Sequence, residues 1–318
     1  MPSAALISAV MYASILILLS IGFTFTHMME KFPNFAHTSF ATFGVVISYT
    51  FVRLWGYGPY VAWPFAFVLS GLFGITLYLL VVRPMRSIGT SGVHITFAMI
   101  ALSYVINATL AVFSYWVMRN RPFTTASFIL RRYDFTILGY PGIVFVAPVT
   151  SVILVALLHL FLTRTRFGIA IRATVEDPRL ASGLGVNTFH VHLTSWFLTG
   201  AMAGLAGAAL PLWMPTSLNG SDELMMNVIA GSVLGGLDSI YGAIIGGIVL
   251  SYAKTLLPIH LVRTLGIWIA WYIPLVPTLV VVGVMMLMPE GIGGALTANP
   301  GDTKSPGERI RRLLGLGK

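Results

Sequence analysis

The acidic side chains are the first candidates for chemistry, because a carboxylate held in apolar surroundings can bind a proton or a cation. Of the ten Asp and Glu residues, only Asp238 falls outside predicted loops, tails and the ends of apolar stretches. It lies in the interruption Gly235-Gly236-Leu237-Asp238-Ser239-Ile240-Tyr241-Gly242. It either faces a polar passage or caps the helix that follows, and we favour the cap. With so few buried charges, the chain is poorly equipped to run ion coupling by itself, although it could form a passage that another protein drives.

The sequence contains no signature of catalysis or of nucleotide binding. There is no G-x-x-x-x-G-K-[ST] phosphate-binding loop and no H-E-x-x-H or G-x-S-x-G motif. Among the histidines, only His190 and His192 lie close together, at the edge of an apolar stretch. An interfacial role explains this pair better than metal binding does. We therefore expect no catalytic residue, no metal site and no cofactor in this chain.

The composition indicates the surroundings of the chain. Hydrophobic residues make up 57% of the 318 residues and charged residues only 9%, against roughly 25% charged in ordinary soluble domains. So apolar an exterior suits lipid, and we predict an all-α polytopic protein of the cell membrane with about eight or nine transmembrane helices. We attribute the net charge of +9 to basic residues that flank the spans, and we expect no nucleic-acid partner.

Nine apolar stretches are candidate spans. They lie near Ala4–Thr26, Ala36–Val52, Tyr60–Val82, Val93–Trp116, Ile143–Leu162, Leu193–Trp213, Leu224–Gly236, Ile240–Leu257 and Leu265–Met288. Leu224–Gly236 and Ile240–Leu257 are too short to cross a hydrocarbon core as straight helices, so we predict a broken, glycine-rich pair of half-length helices. Non-helical backbone at membrane depth needs cover from protein or a water-filled cavity, which makes the break a candidate transport pathway. Residues 1–296 would form one transmembrane domain and residues 297–318 a flexible or interfacial cytoplasmic tail.

Small residues are dense in the second half of the chain, at spacings of three or four. The clearest sets are Gly200 with Gly204 and Gly207, Gly231 with Gly235, and Gly242 with Gly246. Such spacing lets helix backbones approach closely. Tight packing alone is therefore the main interpretation of any single glycine.

The polar segment 164–187 separates two predicted spans. Glu176 and Asp177 lie near a predicted helix start, where acidic residues favour the helix dipole. The pattern predicts a short helix over Pro178–Leu184, in which the proline suits the first turn and Gly185 the stop. The helix would present the small residues Ala181, Ser182 and Gly183. On physical grounds alone, docking on a partner and a plain connector are equally good interpretations of this helix.

Five short motifs follow one another along nearly the whole chain. They are Asn34-Phe35-Ala36-His37 with Phe43-Gly44, Arg83-Pro84-Met85-Arg86, Arg172-Ala173-Thr174 with Ala181 and Gly185-Val186-Asn187, Val233-Leu234-Gly235-Gly236-Leu237-Asp238-Ser239-Ile240-Tyr241-Gly242-Ala243, and Pro289-Glu290-Gly291-Ile292-Gly293. Together they resemble the motifs of binding-protein-dependent ABC importer permeases of the branched-chain amino acid type. These are the LivH-like permeases, with the urea and short-chain amide permeases close by. Thr38, Ser39 and Asp238 depart from the family pattern, and these changes bear on the substrate.

The resemblance implies a division of labour. This chain, with a second permease (LivM-like) or a copy of itself, would form a passage for branched-chain amino acids or related small amino acids and amides. Two cytoplasmic ATPase subunits would bind ATP and drive transport, and an extracytoplasmic binding protein would deliver the solute. The resemblance assigns an ATPase-coupling loop to Arg172, Ala173, Glu176, Asp177, Ala181, Gly183, Gly185 and Asn187. The alternative is a self-sufficient secondary transporter or channel for a small polar solute.

Two polar segments beside short apolar helices are the predicted lining of the translocation pathway. They supply Asn34, His37, Thr38 and Ser39 from the first half of the chain, and Gly235, Gly236, Asp238 and Ser239 from the second. Exposed helix ends offer backbone N–H and C=O groups to a polar solute, and glycines let it approach the backbone. The other interpretation is that Asn34 and His37 lie at the cytoplasmic interface and cap a helix.

Basic residues predict the orientation, because they concentrate on the cytoplasmic side of a membrane protein. Residues 83–86, 164–187 and the C-terminal tail are expected in the cytoplasm, and residues 117–140 outside, although that long loop carries arginines of its own. The chain has no cysteine, so a single cysteine introduced at Ser182 can be labelled selectively. An impermeant thiol reagent added to intact cells is expected to leave it unlabelled, and labelling there would overturn the orientation.

Overall fold

The computed structural model describes residues 4–218, 222–287 and 291–297. Its α-helices are α1 (Ala4–Glu30), α2 (His37–Tyr49), α3 (Ala62–Leu77), α4 (Arg83–Ser87), α5 (Gly92–Asn120), α6 (Ile143–Arg164), α7 (Arg166–Glu176), α8 (Pro178–Gly183), α9 (Thr188–Trp213), α10 (Asp222–Gly235), α11 (Ile240–Leu265), α12 (Val276–Leu287) and α13 (Gly291–Thr297). π-helical turns extend α2 over Thr50–Leu54 and α3 over Tyr78–Val82, and 3₁₀ turns occupy Pro59–Val61, Arg131–Tyr133 and Ile267–Leu275. Strands β1 (Thr136–Ile137) and β2 (Tyr140–Pro141) form a small antiparallel hairpin.

Seven of the described helical segments are long and apolar enough to cross a membrane. This confirms the predicted all-α polytopic membrane protein, and every predicted span overlaps a helix. The prediction of two half-length helices is confirmed for the first of them, α10, and is wrong for the second, α11. α10 has 14 residues, whereas α11 has 26, about 39 Å at 1.5 Å per residue. The apolar pattern ended at Leu257, but the helix continues through Pro258 to Leu265, since transmembrane helices tolerate proline.

The chain divides into two compact units. The terminal unit comprises the described residues within 1–24 and 226–318, and the central unit comprises residues 25–225, of which 219–221 lie outside the description. The boundary falls within α1, so this helix contributes residues to both units. The predicted coupling loop and the first predicted pathway segment belong to the central unit.

In the central unit, the glycine-rich face of α9 lies directly against α3. A Cβ atom on Gly200 would overlap the backbone carbonyl of Ser70, and one on Gly204 would overlap the Ser70 hydroxyl. Gly74 of α3 is just as close to the carbonyl of Trp196. Residue numbers increase along α3 while those of their contact partners in α9 decrease, so the two helices are antiparallel.

α2 packs on α9 through the same kind of contact. A Cβ atom on Gly44 would overlap the carbonyl of Gly204, and one on Gly207 would overlap the carbonyl of Ala41. The helices therefore touch backbone to backbone, and no larger residue fits between them. The close approach predicted from the glycine spacing is confirmed here.

In the terminal unit, glycines join α10 to α11. A Cβ atom on Gly246 would overlap the carbonyl of Gly231, and one on Gly235 would overlap the carbonyl of Gly242. α13 lies on the same junction, where a Cβ atom on Gly293 would be 2.9 Å from the Cα atom of Gly242. The glycine-rich motif therefore packs three helices of this unit together.

The loop between α5 and α6 is tied to the C-terminal end of α9. The Leu130 N–H donates to the carbonyl of Pro211 at an N···O distance of 2.6 Å. Asp134 accepts from the Tyr60 hydroxyl at 2.8 Å and from the Ile143 N–H at 2.8 Å, which orders the rest of the loop. α8 precedes the N-terminal end of α9, so the loop and α8 lie at opposite ends of this helix. Their placement on opposite sides of the membrane stays a prediction.

Gly207→Ala is expected to destabilise the chain, because the new methyl group would meet the fixed backbone of Ala41 rather than a movable side chain. Overpacking of this kind costs about 1–3 kcal/mol. The measurement is the thermal unfolding midpoint of the purified chain in detergent. Gly58→Ala is the control, since no described atom lies within 4 Å of a Cβ atom at that position. Equal midpoints for the two variants would show that the contact between α2 and α9 is not tight.

Candidate coupling loop and translocation site

α8 is a short helix with a defined start and stop. The Asp177 carboxylate accepts from the N–H groups of Arg179 at 2.8 Å and Leu180 at 3.0 Å. Pro178 occupies the first turn, and Gly185 has φ of +87°, a left-handed conformation that favours glycine. The structure therefore forms the short helix, its acidic cap and its glycine stop as the sequence predicted.

Glu176 lies one residue before the N-cap of α8, near the helix start as predicted, but it is also the last residue of α7. α7 occupies Arg166–Glu176 and was not recognised in the sequence. α7 and α8 meet at Asp177, which leaves Glu176 at the electronegative end of a helix, a position that disfavours a carboxylate. On the same helix, Arg172 is exposed and Ala173 is half-buried.

α8 presents a different surface from the predicted one. Ala181 is 2% exposed and faces the interior. The exposed residues include Pro178 and Arg179 as well as Ser182 and Gly183, together with Leu180 and Leu184, which are 64% and 77% exposed. The two leucines lie one helical turn apart and so share a side of α8. Sequence reasoning missed them, although their spacing of four was a usable signal.

α8 is coupled closely to α9 through the chain. The Asn187 side chain accepts from the His190 N–H at 3.4 Å and caps the start of α9. Only residues 184–187 separate the two helices. The connection between α8 and the first turn of α9 is therefore short and ends in a side-chain cap.

The first predicted pathway segment is buried at the start of α2. Asn34 and His37 are 0% exposed, Ser39 is 1% exposed and Thr38 is 8% exposed. The Asn34 Oδ1 atom accepts from the Ala36 N–H at 3.0 Å, and its backbone carbonyl accepts from the His37 N–H at 3.1 Å. Asn34 thus shapes the turn before α2, whose N-cap, Ala36, has no side-chain cap bond. The Asn34 Nδ2 atom has no hydrogen-bond partner among the described residues.

The segment between α1 and α2 runs alongside α5, from the first residue of that helix toward its middle. A Cβ atom on Gly92, the first residue of α5, would lie 3.6 Å from Phe32. Ser39 Oγ lies 3.4 Å from Asn107 Oδ1, halfway along this 29-residue helix. The start of α2 therefore lies at the level of the middle of a span, where irregular backbone needs cover. This position favours a place in a passage over the alternative of a cap at the cytoplasmic interface.

The second predicted pathway segment is a tight turn in the terminal unit. Gly236 has φ of +101°, and Gly235 is buried against Gly242. The prediction that Asp238 caps α11 is wrong. Ser239 is the N-cap, and its side chain accepts from the Gly242 N–H at 3.0 Å. An N-cap side chain reaches the N–H two or three residues ahead, which suits Ser239. Asp238 is exposed.

The two pathway segments lie in different units, residues 34–39 in the central one and 235–239 in the terminal one. That both line one passage stays a prediction. Pro289 and Glu290 of the last motif, and the predicted tail from residue 298 onward, lie outside the described residues. Among the described residues, no group of three or more His, Asp or Glu side chains could hold a metal ion.

The sequence analysis missed one buried carboxylate. Glu30, at the end of α1, is 3% exposed. Its Oε1 atom accepts from Trp196 Nε1 at 2.8 Å and lies 2.8 Å from His192 Nδ1, while Oε2 lies 2.6 Å from Arg86 Nη2. We call Glu30, Arg86, His192 and Trp196 the Glu30 cluster. His192 was expected at an interface and is instead 8% exposed; its spacing of four from Trp196 was the available signal.

These features define a helical membrane permease with a capped surface helix before its central span. The family described as "Branched-chain amino acid transport system / permease component" matches residues 5–288, and the chain belongs to this family. The membership, together with the seven apolar helices, indicates a multi-pass integral protein of the cell membrane.

Individual relatives agree with this assignment. The chain is 31% identical over 286 residues, 90% of each chain, to the probable branched-chain amino acid transport permease protein LivH of Methanocaldococcus jannaschii. It is 24% identical over 260 residues to the high-affinity branched-chain amino acid transport system permease protein BraD of Pseudomonas aeruginosa, over 78% of this chain and 84% of BraD. A region of 101 residues, 31% of this chain and 30% of the relative, is 37% identical to the autoinducer 2 import system permease protein LsrC of Shigella flexneri. No solved structure matches the chain.

Proposed function

We propose that this chain is the membrane-spanning permease subunit of an ABC importer for branched-chain amino acids or related small amino acids and amides. The family membership and the branched-chain amino acid transport for which LivH and BraD are named support the solute class. The sequence has no phosphate-binding loop of its own, so ATP is bound by partner subunits and this chain does no covalent chemistry.

The proposed complex has three further kinds of component. A second permease, LivM-like or a copy of this chain, completes the membrane domain. Two cytoplasmic ATPase subunits drive transport, and an extracytoplasmic binding protein delivers the solute. The proposal assigns the ATPase contact to α8 and the passage to the segments around Asn34 and Ser239.

The surface of α8 is the observation that carries the ATPase contact. Leu180 and Leu184 expose most of their side chains beside Ser182 and Gly183, which add little bulk. Burial of an exposed leucine stabilises an interface by about 1.5–3 kcal/mol. Two leucines flanked by small residues therefore form a compact apolar contact that fits a groove on a partner, and the caps at Asp177 and Gly185 hold that contact in shape.

The start of α2 supports the passage. Asn34 is fully buried in the segment that leads to Ser39 beside the middle of α5, and its Nδ2 atom has no hydrogen-bond partner among the described residues. A buried amide without a partner is costly, and a polar solute or water in a passage would remove that cost. We expect a weak contact, since the binding protein of such an importer performs most of the recognition.

Gly183→Trp tests the contact between α8 and the ATPase. No described atom lies within 4 Å of a Cβ atom at Gly183, so the indole leaves the fold of this chain intact but blocks a docking groove. In proteoliposomes with all partners, uptake is expected to fall by about tenfold or more, the effect of losing roughly 1.4 kcal/mol or more at an interface. Gly183→Ala is the matched control and should transport normally. Normal uptake by the tryptophan variant would overturn the docking assignment.

Asn34→Leu tests the passage. It removes the buried amide donor, and a lost hydrogen bond of about 1 kcal/mol corresponds to roughly fivefold in rate. We expect a lower maximal uptake rate with little change in the solute concentration that gives half-maximal rate. Asn120→Leu, at the exposed end of α5, is the control. Wild-type kinetics for Asn34→Leu at equal protein level would move the passage elsewhere.

A further inference from the structure

The Glu30 cluster joins three separate parts of the central unit at one buried carboxylate. Glu30 ends α1, Arg86 lies in α4, and His192 and Trp196 lie in the first turns of α9. The Glu30 side chain is 0% exposed, against 35% for the side chain of Arg86 and 10% for that of His192. A carboxylate this deep is stable only when its oxygens are paired, so the three donors and the carboxylate depend on one another.

Arg86 contacts both the side chain and the backbone of Glu30. Its Nη2 atom lies 2.6 Å from the carboxylate Oε2 and donates to the Glu30 backbone carbonyl at 2.7 Å. A helix ends in unpaired carbonyl groups that carry partial negative charge, and the guanidinium neutralises both that charge and the carboxylate. The end of α1 is therefore tied to α4 in position and in direction.

The first turns of α9 are held along one face. Phe189, His192 and Trp196 follow the i, i+3, i+7 spacing of one side of a helix. The Arg83 guanidinium lies 4.5 Å above the Phe189 ring. The Tyr78 ring stacks on His192 with centroids 5.7 Å apart and planes 10° from parallel. Both arginines of the Arg83–Arg86 motif thus contribute to the support of this end of α9.

We propose that the Glu30 cluster transmits a displacement of α8 to α9, because it fixes the first turns of α9 to the end of α1 and to α4. The inference rests on the proposed function, in which α8 contacts an ATPase. A push on α8 passes through residues 184–187 to the start of α9. With the cluster intact, the end of α1, α4 and the start of α9 move together. With the cluster broken, the start of α9 moves separately and the displacement is not passed on. Glu30, His192 and Trp196 are therefore positioning residues for transport.

A matched pair of tryptophan variants separates this role from packing. Trp196→Phe removes the indole N–H that donates to Glu30. Trp63→Phe removes an equal volume from a residue that is 7% exposed, but its N–H has no hydrogen-bond partner among the described residues. Both changes leave a similar gap, and only the first leaves Glu30 short of a donor.

Hydrogen exchange of the full chain alone in nanodiscs gives the first measurement. Loss of one hydrogen bond to a charged group is expected to speed amide exchange in residues 188–196 by about tenfold or more in Trp196→Phe. The same amides should be unchanged in Trp63→Phe. Equal exchange in the two variants would overturn the inference, and this measurement needs no partner subunit.

The number of ATP molecules hydrolysed per solute imported by the full complex gives the second measurement. Trp196→Phe is expected to raise this ratio severalfold while still binding the ATPase subunits, and Trp63→Phe should keep the wild-type ratio. His192→Gln keeps an N–H donor for Glu30 and should stay close to wild type, whereas His192→Leu should behave like Trp196→Phe. A change in exchange with an unchanged ratio would show a purely structural cluster and overturn the inference.

Failure of the proposed function would look different. If the wild-type complex showed no ATP-driven uptake at all, the assignment of this chain to an ABC importer would be wrong, whatever the exchange measurements gave. If Gly183→Trp abolished uptake while all Glu30-cluster variants kept the wild-type ratio, the docking role of α8 would stand and the positioning role of the cluster would be wrong.

Discussion

Contact between helix backbones at the glycines of α9 is the constraint on which the central unit depends. Gly200 and Gly204 leave room for the backbone of α3, and Gly207 leaves room for that of α2. In lipid, burying apolar side chains between helices gains little, because the tails are equally apolar, so close van der Waals contact must hold the helices together. A gap of a fraction of an ångström removes much of this van der Waals attraction. The middle of α9 therefore has little freedom to shift relative to α2 and α3.

The two ends of α9 are held by different chemistry. At the N-terminal end, a buried carboxylate collects donors from α4 and from α9 itself; at the C-terminal end, the backbone of Pro211 accepts from Leu130 of the long loop. Charged groups pair at the end that adjoins α8, where water and partner subunits are expected. At the other end, the Arg131 guanidinium reinforces the backbone hydrogen bond, since it donates to the Trp213 carbonyl at 3.3 Å and lies 4.2 Å over the Trp213 ring. The helix next to the proposed ATPase contact is thus rigid in its middle and individually fastened at each end.

Local patterns predicted the elements of this fold well, and contacts between distant residues less so. Hydropathy located every span, and Asp177 with Gly185 marked α8, because caps act over three or four residues. The burial of Glu30 was not predictable in this way: His192 lies 162 residues away in sequence, and a carboxylate at the end of a span looks like an interfacial one. Ala181 was misjudged for the same reason, since its burial depends on neighbours outside α8. α11 exceeded its prediction because the helix continues through Pro258, as transmembrane helices tolerate proline.

The π-helical turn at Tyr78–Val82 marks a place in this span where a change of length is tolerated. A π turn absorbs one extra residue within a single wide turn, so the helical segments on either side keep nearly the same phase. A descendant of this gene that lost a single codon here would regain a regular α-helix, with Arg83 and Arg86 still turned toward Phe189 and Glu30. The same loss in the regular part of α3 would rotate both arginines by about 100° away from these partners. Alignments of this region should therefore accept a one-residue gap at Tyr78–Val82 and penalise one within Ala62–Leu77.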